Sequence, residues 1–383
     1  MNRFGLTVGK VLLAFGVVVA TLAAMGAIGE VVLRNRERTR QTPPGDMPLI
    51  FYPHKRLGYA LVRDFDYFGW VYVNAAGFRG RGLPEEAGDR LRVMTVGGST
   101  TFDSFVTGDA STWPARLEHW LGELAPGCAV AVFNAGVPGY RIVDNLIRLE
   151  TELYRYRPDV IVLYAAHNDL VYSFFGGRAE ATRGYRARPD EVHYMWPITS
   201  WLAQHSLFYG KLAGRWRAVT VRRLRRGALK ERPPDSQWEK GIALGTVAFE
   251  RDLSAFLAVA RNLGIQVIIP QVTHVSGAGA VTEADSAARR TWGGTFAGPS
   301  PEMVLRGYNT FDSVARAVAP RFGATHVVTE AFASRGTDFF VPTDAIHFND
   351  RGADRMAAGL ADAFLRQSLL PRDGCQLAGA ARP

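Results

Sequence analysis

The sequence predicts a three-layer α/β fold with a mostly parallel sheet, preceded by one N-terminal transmembrane helix. Two observations predict it. From Arg92 onward, short apolar runs typical of buried strands alternate with amphipathic segments of helical periodicity, and residues 11–29 carry no charge. The 383 residues, 47% of them hydrophobic, suffice for one large domain with a sizeable core.

The apolar stretch at residues 11–29, VLLAFGVVVATLAAMGAIG, is long enough to cross a bilayer as a helix at about 1.5 Å per residue. A cleaved signal peptide is the alternative, because Ala24 and Gly26 fit the small-residue positions of a cleavage site. We favour an uncleaved membrane anchor at residues 1–34, since the apolar run exceeds the usual core of a signal peptide.

The charges around this stretch predict its orientation. Arg3 and Lys10 precede it, whereas four arginines follow it, at positions 34, 36, 38 and 40. Because positively charged flanks favour the cytoplasmic side, the positive-inside rule places the rest of the chain in the cytoplasm.

One domain is predicted to fill most of the remaining chain. Residues 35–48 have the arginine, proline and glycine content of a linker, residues 49–370 form the domain, and residues 371–383 form a tail. Within the domain, residues 49–80 are rich in aromatic side chains and alternate apolar with polar positions. This pattern predicts short strands packed beside the main sheet.

The main sheet begins with the strand RVMTV. A helix follows, which a hydroxyl of Ser111 or Thr112 caps and which has Pro114 in its first turn. The later strands are AVAVFNAG, DVIVLYAA, IQVIIPQVT and THVVT, and the helices between and after them are predicted near residues 142–156, 246–263, 302–319 and 351–367. In parallel sheets of this kind, functional sites form at the carboxyl ends of the strands.

Residues 171–242 interrupt the alternation of strands and helices. This insertion is apolar and aromatic at first and then strongly basic, and it is long for a plain connection. We expect a lid or a substrate-facing subdomain. The basic residues 215–232 are more typical of a solvated helix face than of a surface that docks on anionic lipid or an acidic polymer, although both interpretations stay open.

The composition argues against nucleic-acid binding. The formal net charge is +9 and the pI is about 9.7, but the positive residues are clustered, and no zinc-finger spacing or RNA-binding motif accompanies them. The two cysteines, Cys128 and Cys375, are too few for a disulfide framework and lack metal-ligand spacing. The cysteine content therefore favours neither an oxidising nor a reducing compartment.

Ser99 is the first candidate catalytic residue, at the end of the first main strand in TVGGSTTF. Gly97 and Gly98 would let the backbone turn and expose the hydroxyl, and the start of a following helix would offer amide donors. The stretch is not a phosphate-binding loop, and Thr101 stands where a Gly-x-Ser-x-Gly elbow needs its last glycine. Taken alone, it is more typical of an ordinary strand-to-helix turn.

Three further strand ends or equivalent loops supply what an exposed serine needs. Gly136 in NAGVPGY has an amide that can face the same crevice, and Asn168 in YAAHNDL has an amide donor for a developing oxyanion. Asp344 and His347 in DAIHFNDRG are three residues apart, so that the carboxylate can orient the imidazole. Each feature alone is explained by turns and caps; the set predicts a serine-based active site.

The order Ser99, Gly136, Asn168, Asp344 and His347 resembles the four sequence blocks of the SGNH/GDSL hydrolase superfamily. The stretches NAAGFRG, VGGSTTF, NAGVPGY, RPDVIVLYAAHND and DAIHFNDRG are similar to its bacterial membrane-anchored branch, which has a Gly-Gly-Ser-Thr block. Two positions depart from the general pattern: Gly98 replaces the aspartate of Gly-Asp-Ser, and Ala166 replaces the glycine of Gly-x-Asn-Asp. The resemblance covers residues of about 50–170 and 245–367 and implies a flavodoxin-like sheet.

The resemblance also implies the chemistry. Ser99 would attack an ester carbonyl, His347 would act as general base and acid, and Asp344 would orient His347. The amides of Ser99 and Gly136 and the side chain of Asn168 would bind the oxyanion. No metal or organic cofactor is expected.

We therefore predict a serine esterase that acts on acyl esters of a carbohydrate or a lipid, with a carbohydrate O-acetylesterase as one form. An O-acyltransferase that modifies an exported or envelope polysaccharide is the first alternative, because the same residues serve both reactions. A catalytically inactive, membrane-anchored interaction protein is the second. The resemblance implies an exported, extracytoplasmic domain, against the arginine count.

Overall fold

The computed structural model describes residues 3–44, 47–175, 197–216, 235–274, 299–328, 338–341 and 346–370. Asp344, Cys375, the predicted tail and the larger part of the predicted insertion lie outside the described residues.

A long helix and two small antiparallel strand pairs precede the main sheet. The helix is α1 (Arg3–Arg38). The four short strands are β1 (Phe51–His54), β2 (Gly58–Leu61), β3 (Phe65–Tyr67) and β4 (Val71–Val73). β1 pairs with β2 and β3 pairs with β4, as the alternating aromatic pattern predicts.

A parallel sheet of five strands forms the centre of the domain. The strands are β5 (Leu91–Gly97), β6 (Val130–Asn134), β7 (Val160–Tyr164), β8 (Gln266–Pro270) and β9 (Thr325–Val327). Their spatial order is β6-β5-β7-β8-β9, and every neighbouring pair is parallel. This is the order of a flavodoxin-like sheet, so the predicted fold class is confirmed. The chain changes direction across the sheet between β5 and β7, which places a crevice at their carboxyl ends.

Helices cover both faces of this sheet. The helices described after α1 are α2 (Ser99–Phe102), α3 (Trp113–Leu124), α4 (Ile142–Thr151), α5 (His167–Phe175), α6 (Pro197–His205), α7 (residues 207–216), α8 (Asp235–Asn262), α9 (Pro301–Val318) and α10 (Asp350–Arg366). α3 packs against α10, whereas α4, α5 and α9 pack against α8. The two helix groups and the sheet make three layers. All residues of β7 are buried between them, as expected for a continuous apolar strand in a parallel sheet.

Two helix starts show how well the sequence places the elements. α3 begins as predicted, because the Thr112 side chain accepts a hydrogen bond from the Ala115 amide and caps the helix. α8 begins at Asp235, well before the predicted start near residue 246. Its first turns fall in the predicted insertion, where Trp238 and Ile242 continue the buried stripe of the helix.

The predicted linker and insertion are both shorter than expected. α1 continues to Arg38, and the Glu37 side chain is buried, so the helix enters the domain instead of ending at a flexible connection. Residues 171–175 belong to α5 and residues 235–242 to α8. The interpretation of the insertion as a lid remains a prediction.

A second, smaller apolar cluster lies beside the main core. It joins the small strands to the elements around the candidate site, and its buried members include Ile50, Tyr59, Phe102, Tyr140 and Leu207. Leu33 of α1 packs against this cluster. The N-terminal helix is therefore in contact with the same apolar group as the turn that carries Ser99.

Candidate active site

Ser99 and His347 meet at the carboxyl end of the sheet. The Oγ of Ser99 lies 2.7 Å from the Nε2 of His347, although 248 residues separate them in the chain. Both side chains are half-buried. An Nε2 that accepts the hydroxyl proton carries no hydrogen itself, so this contact corresponds to the imidazole tautomer protonated on Nδ1.

Close packing explains the two glycines before Ser99. A Cβ at Gly97 would lie 2.1 Å from the carbonyl oxygen of Tyr164, and a Cβ at Gly98 would lie 2.5 Å from the Nδ2 of Asn168. Neither glycine has a positive φ angle. The two glycines are therefore needed because they allow the strand end to approach β7 and the Asn168 side chain.

The helix after Ser99 is one turn long. α2 has only four residues, so its helix dipole is small. Side-chain hydrogen bonds hold this turn instead. Thr101 donates from Oγ1 to the carbonyl of Tyr164 over 3.1 Å, and Trp113 donates from Nε1 to the carbonyl of Thr100 over 2.9 Å.

Arg79 is the main support of the Ser99 turn, and the sequence analysis assigned it no role. Its Nη1 donates to the carbonyls of Phe102 and Asp103, over 2.8 and 2.6 Å. Its Nε donates to Oδ1 of Asp109 over 2.9 Å, and its Nη2 donates to the carbonyl of Trp70 over 3.2 Å. The side chain is almost fully buried. The one sequence signal for this residue is its position in NAAGFRG, a stretch that is similar to the SGNH/GDSL superfamily.

Asp103 ends α2 with a left-handed backbone, at a φ angle of 66°. Its Oδ2 accepts a 2.7 Å hydrogen bond from the Trp113 amide. Burial raises the pKa of Asp103 to about 8, although the Trp113 hydrogen bond and the Arg79 charge lower it and Asp350 raises it. The carboxyl group is therefore protonated in the folded protein below about pH 8.

Asn168 lies beside the Ser99 turn, as predicted. Its Nδ2 donates a 2.9 Å hydrogen bond to the carbonyl of Tyr140. An amide nitrogen carries two hydrogens, so the second remains for another acceptor. Asn168 is half-buried at the start of α5, immediately after β7.

The amide of Gly136 is already bonded, contrary to its predicted role. It donates to the Oδ1 of Asn134 over 3.1 Å. A Cβ at Gly136 would lie 2.3 Å from the Phe102 amide nitrogen, so this glycine is needed for close packing against α2. Asn134 also donates from Nδ2 to the carbonyl of Phe102 over 3.4 Å, and thereby joins the end of β6 to the Ser99 turn.

Gly139, three residues later, has the features predicted for Gly136. Its φ angle is 86°, a conformation that favours glycine, and the residue is half-buried. Within the described part of the chain, neither the Gly139 amide nor the Ser99 amide donates a hydrogen bond. The carbonyl oxygen of the next residue, Tyr140, lies 3.2 Å from the Cβ position of Gly98. NAGVPGY contains two glycines, and the sequence pattern led us to assign the role to the first, Gly136.

Ala166 shows why the general pattern has a glycine at this position. Its φ angle is 92°, which L-residues rarely adopt. The side chain is buried, and the backbone of the segment between β7 and Asn168 keeps the conformation that glycine would adopt without strain. The substitution noted in the sequence therefore carries local strain but leaves Asn168 beside the turn.

A short paired segment presents His347. Phe340 and Phe348 form an antiparallel bridge, and the Val341 amide donates to the His347 carbonyl over 3.0 Å. Asn349 caps α10 by accepting from the Gly352 amide over 3.0 Å. The Phe105 ring lies 4.9 Å from the imidazole ring, measured between centroids.

Asp350 connects this segment to the loop that follows the Ser99 turn. Its Oδ1 accepts a 2.8 Å hydrogen bond from the Thr107 amide, and its Oδ2 accepts one from the Thr107 hydroxyl. The predicted partner of His347, Asp344, lies outside the described residues. Its role remains a prediction.

Comparison with known proteins identifies one protein family. The model of the GDSL-like lipase/acylhydrolase family matches residues 95–355. The search of curated proteins found no match.

Several solved structures are similar. One is an alpha/beta hydrolase enzyme from the metagenome of Lake Arreo, with 15% identity, a TM-score of 0.43, and coverage of 76% of this chain and 100% of that one. Another is an acetylxylan esterase from Geobacillus stearothermophilus, with 14% identity, a TM-score of 0.38, and coverage of 76% and 98%. A third is a putative GDSL-like lipase from Parabacteroides merdae, with 14% identity, a TM-score of 0.42, and coverage of 71% and 94%.

Proposed function

Because the chain belongs to the GDSL-like lipase/acylhydrolase family, we propose that it is a membrane-anchored serine esterase that cleaves acyl esters through an acyl-Ser99 intermediate. The observation that carries the proposal is the 2.7 Å contact between Ser99 Oγ and His347 Nε2. A base within hydrogen-bond reach is what a serine hydroxyl needs to become a nucleophile.

The reaction has two halves. Ser99 Oγ attacks the ester carbonyl carbon while its proton moves to His347 Nε2, and the tetrahedral intermediate then collapses. His347 returns the proton to the leaving alkoxide, which departs as an alcohol and leaves the acyl group on Ser99. In the second half, water attacks the acyl-serine, its proton passes to His347 and then to Ser99 Oγ, and the carboxylic acid leaves. Asp344 would hold the Nδ1 proton of His347.

The oxyanion would be bound by three donors. We assign the Ser99 amide, the second Nδ2 hydrogen of Asn168, and the Gly139 amide in place of the Gly136 amide. The occupied amide of Gly136 and the free amides of Ser99 and Gly139 among the described residues support this choice. Each donor is expected to contribute a factor on the order of a hundred or more to the rate.

The cellular placement rests on two observations. α1 contains one stretch, Gly9–Arg38, that is long and apolar enough to cross a membrane. No residue in the most apolar part of this stretch is buried. Cys128 is disulfide-bonded, and disulfides persist in oxidising compartments. The helix supports a membrane anchor, and the disulfide supports a catalytic domain on the extracytoplasmic side. Acyl esters of envelope carbohydrates or lipids are the substrates within reach of such an enzyme.

Serine replacement tests the chemistry. Ser99→Ala should abolish turnover of a small aryl acetate and labelling by a fluorophosphonate probe, whereas Ser313→Ala, at an exposed serine of α9, should leave both unchanged. His347→Gln should lower kcat by at least about a thousandfold, because the general base is lost. Retained turnover in Ser99→Ala would contradict the proposal, and an unlabelled, inactive wild-type protein would favour the non-catalytic interaction protein.

Product analysis separates hydrolysis from transfer. The wild-type protein is incubated with an acetyl donor and an acceptor glycan, and free acetate and acetylated glycan are quantified. An esterase releases acetate without acetylating the glycan. Acetylated glycan that disappears in Ser99→Ala would instead establish the O-acyltransferase.

A further inference from the structure

α1 is attached to the catalytic domain along one face of its last turns. Within this part of the helix, the positions with reduced exposure are 26, 29, 30, 33, 34 and 37, which recur every three to four residues. Positions outside this stripe, such as Val31 and Val32, are exposed. The stripe shows that the domain covers a single side of the helix where its apolar stretch ends.

The first turn of α7 is the main contact of this stripe. The Glu30 carboxylate accepts hydrogen bonds from the Leu207 and Phe208 amides, over 3.1 and 2.8 Å, and from the Ser206 hydroxyl over 2.9 Å. A Cβ at Gly29 would lie 2.5 Å from the Phe208 ring, so the two helices are in close contact there. The start of α7 is therefore fixed at the level of Gly29 and Glu30 on α1.

The next turn of α7 reaches the other end of the stripe. The Lys211 Nζ pairs with the buried Glu37 carboxylate over 3.1 Å. Glu37 lies about 12 Å further along α1 than Gly29, at 1.5 Å per residue. Leu207, on the same side of α7 as Lys211, is fully buried in the second apolar cluster. This side of α7 faces the domain.

The opposite side of α7 is apolar and exposed. At about 100° per residue, the mean direction of Leu212 and Trp216 lies roughly 140° from the mean direction of Leu207 and Lys211. Leu212 is 54% exposed and Trp216 is 77% exposed, and Arg215, on the flank between this side and Lys211, is exposed as well. A leucine, a tryptophan and an arginine together are typical of helices that lie in a membrane interface, where the rings and the cation meet the lipid headgroups.

We propose that this exposed α7 face, formed by Leu212 and Trp216 and flanked by Arg215, lies in the headgroup region of the membrane that α1 crosses. The inference rests on the proposed role of α1 as a membrane anchor. The bilayer is the occupant because the exposed apolar residues of α1 end near Val32, and Leu212 follows Lys211, whose partner Glu37 lies about 7.5 Å further along α1, a distance that the headgroup layer spans. The second apolar cluster contains Phe102 and Tyr140, so α1, α7 and the Ser99 turn form one connected unit. The anchor then fixes the height and tilt of the active site above the bilayer.

Depth-dependent quenching in the full-length protein tests this placement. Single cysteines replace Val19 in α1, Leu212 in α7, and Val247, a matched exposed apolar position on α8 that is 66% exposed. Each variant carries an environment-sensitive fluorophore in nanodiscs of neutral and anionic lipid. Wild-type protein taken through the same labelling reaction is the background control, because it contains the native Cys128 and Cys375. Lipids with a spin label at the headgroup or deep in the acyl chain, and aqueous iodide, serve as quenchers.

We expect headgroup-labelled lipid to quench Leu212→Cys several-fold more than Val247→Cys, and iodide to quench it several-fold less. Val19→Cys should respond to the deep label. Strong iodide quenching at position 212 would overturn the proposal, as would protection from iodide without quenching by lipid, because the face would then be covered by protein.

An unquenched Val19→Cys would refute the anchor itself, and the α7 proposal would fall with it. Turnover of an aryl acetate by the same variants reports independently on the esterase proposal. The failure of the membrane placement and the failure of the chemistry are therefore distinguishable.

Discussion

Ser99 and His347 approach each other from regions that are held in different ways. Ser99 follows a buried strand, and its turn is tied to the rest of the domain through Arg79, Thr101 and Trp113. His347 lies on a short paired segment before α10, and Asp350 links that segment to the loop after the Ser99 turn. The nucleophile is thus part of the sheet, whereas the base reaches it from a connection. We therefore expect substitutions in the Ser99 turn to lower stability and activity together, and substitutions in the histidine segment to lower mainly activity.

Arg79→Met should have the largest effect on stability. The substitution removes the donor of four hydrogen bonds, among them those to the buried carbonyls of Phe102 and Asp103. It also removes the charge that pairs with Asp109. The free energy of unfolding should fall by about 3 kcal/mol, and kcat should fall with it. Chemical denaturation followed by circular dichroism measures the first effect, and aryl acetate turnover measures the second.

Arg79→Lys is the control, since it keeps the charge but not the planar fork of donors. It should give an intermediate loss of stability. An Arg79→Met protein as stable as the wild type would contradict the view that this side chain holds the Ser99 turn.

The pH dependence of stability tests the buried carboxyl group of the same turn. Burial raises the pKa of Asp103 to about 8 in the folded protein, whereas the unfolded value is about 3.9. The folded state therefore keeps a proton that the unfolded state loses, and stability falls as the pH rises from about 4 to about 8. Above that range, this contribution to the pH dependence ends.

Asp103→Asn should reduce the slope of the unfolding free energy against pH by the amount that corresponds to about one proton, because the amide cannot ionise. The amide oxygen can still accept a hydrogen bond from the Trp113 amide, so the turn is kept. Denaturation curves between pH 5 and pH 8 measure the slope. Asp89→Asn, at an exposed carboxylate, is the matched control and should leave the slope unchanged. Identical slopes in Asp103→Asn and the wild type would refute the buried acid.

Asp350→Ala tests the link to the histidine segment. The substitution removes both acceptors of Thr107, so the segment loses its connection to the loop after the Ser99 turn. We expect kcat to fall about tenfold because His347 is less well positioned, whereas the free energy of unfolding should fall by only about 1 kcal/mol.

The matched control is Asp354→Ala, one turn further along α10, whose carboxylate binds Arg116 and Trp120 of α3 instead. It should cost similar stability without the loss in kcat. Equal losses of kcat in the two variants would indicate that α10 as a whole, and not the Asp350 contact, positions His347.

The fold class could be predicted from the sequence because its signals are local. Apolar runs such as Val160–Tyr164 are buried on both faces, and alternation with helices leaves few other arrangements. The meeting of Ser99 with His347 could be anticipated only through the resemblance to a family. No local pattern relates two residues that are 248 positions apart.

The supports of the site could not be read from the sequence. Arg79 acts through carbonyl oxygens, which every residue has, so nothing in the sequence marks its partners. The choice between Gly136 and Gly139 depends on which amide the Asn134 side chain occupies, and that is a tertiary contact. The contact between α1 and the domain could not be predicted either, because Glu30 accepts its hydrogen bonds from residues 206–208, which are distant in the sequence.

Ala166→Gly should have the smallest effect and the opposite sign. Ala166 has a φ angle of 92°, where a side chain is strained and glycine is not. Removing the methyl group should raise the free energy of unfolding by up to about 1 kcal/mol, since relief of strain exceeds the extra freedom that glycine gives the unfolded chain. Asn168 lies two residues away, so kcat should stay within about twofold if the backbone already has the glycine-like conformation.

Ala165→Gly, at the neighbouring alanine without a positive φ angle, is the control and should lower stability. Destabilisation by Ala166→Gly as large as that by the control would show that the strain is absent.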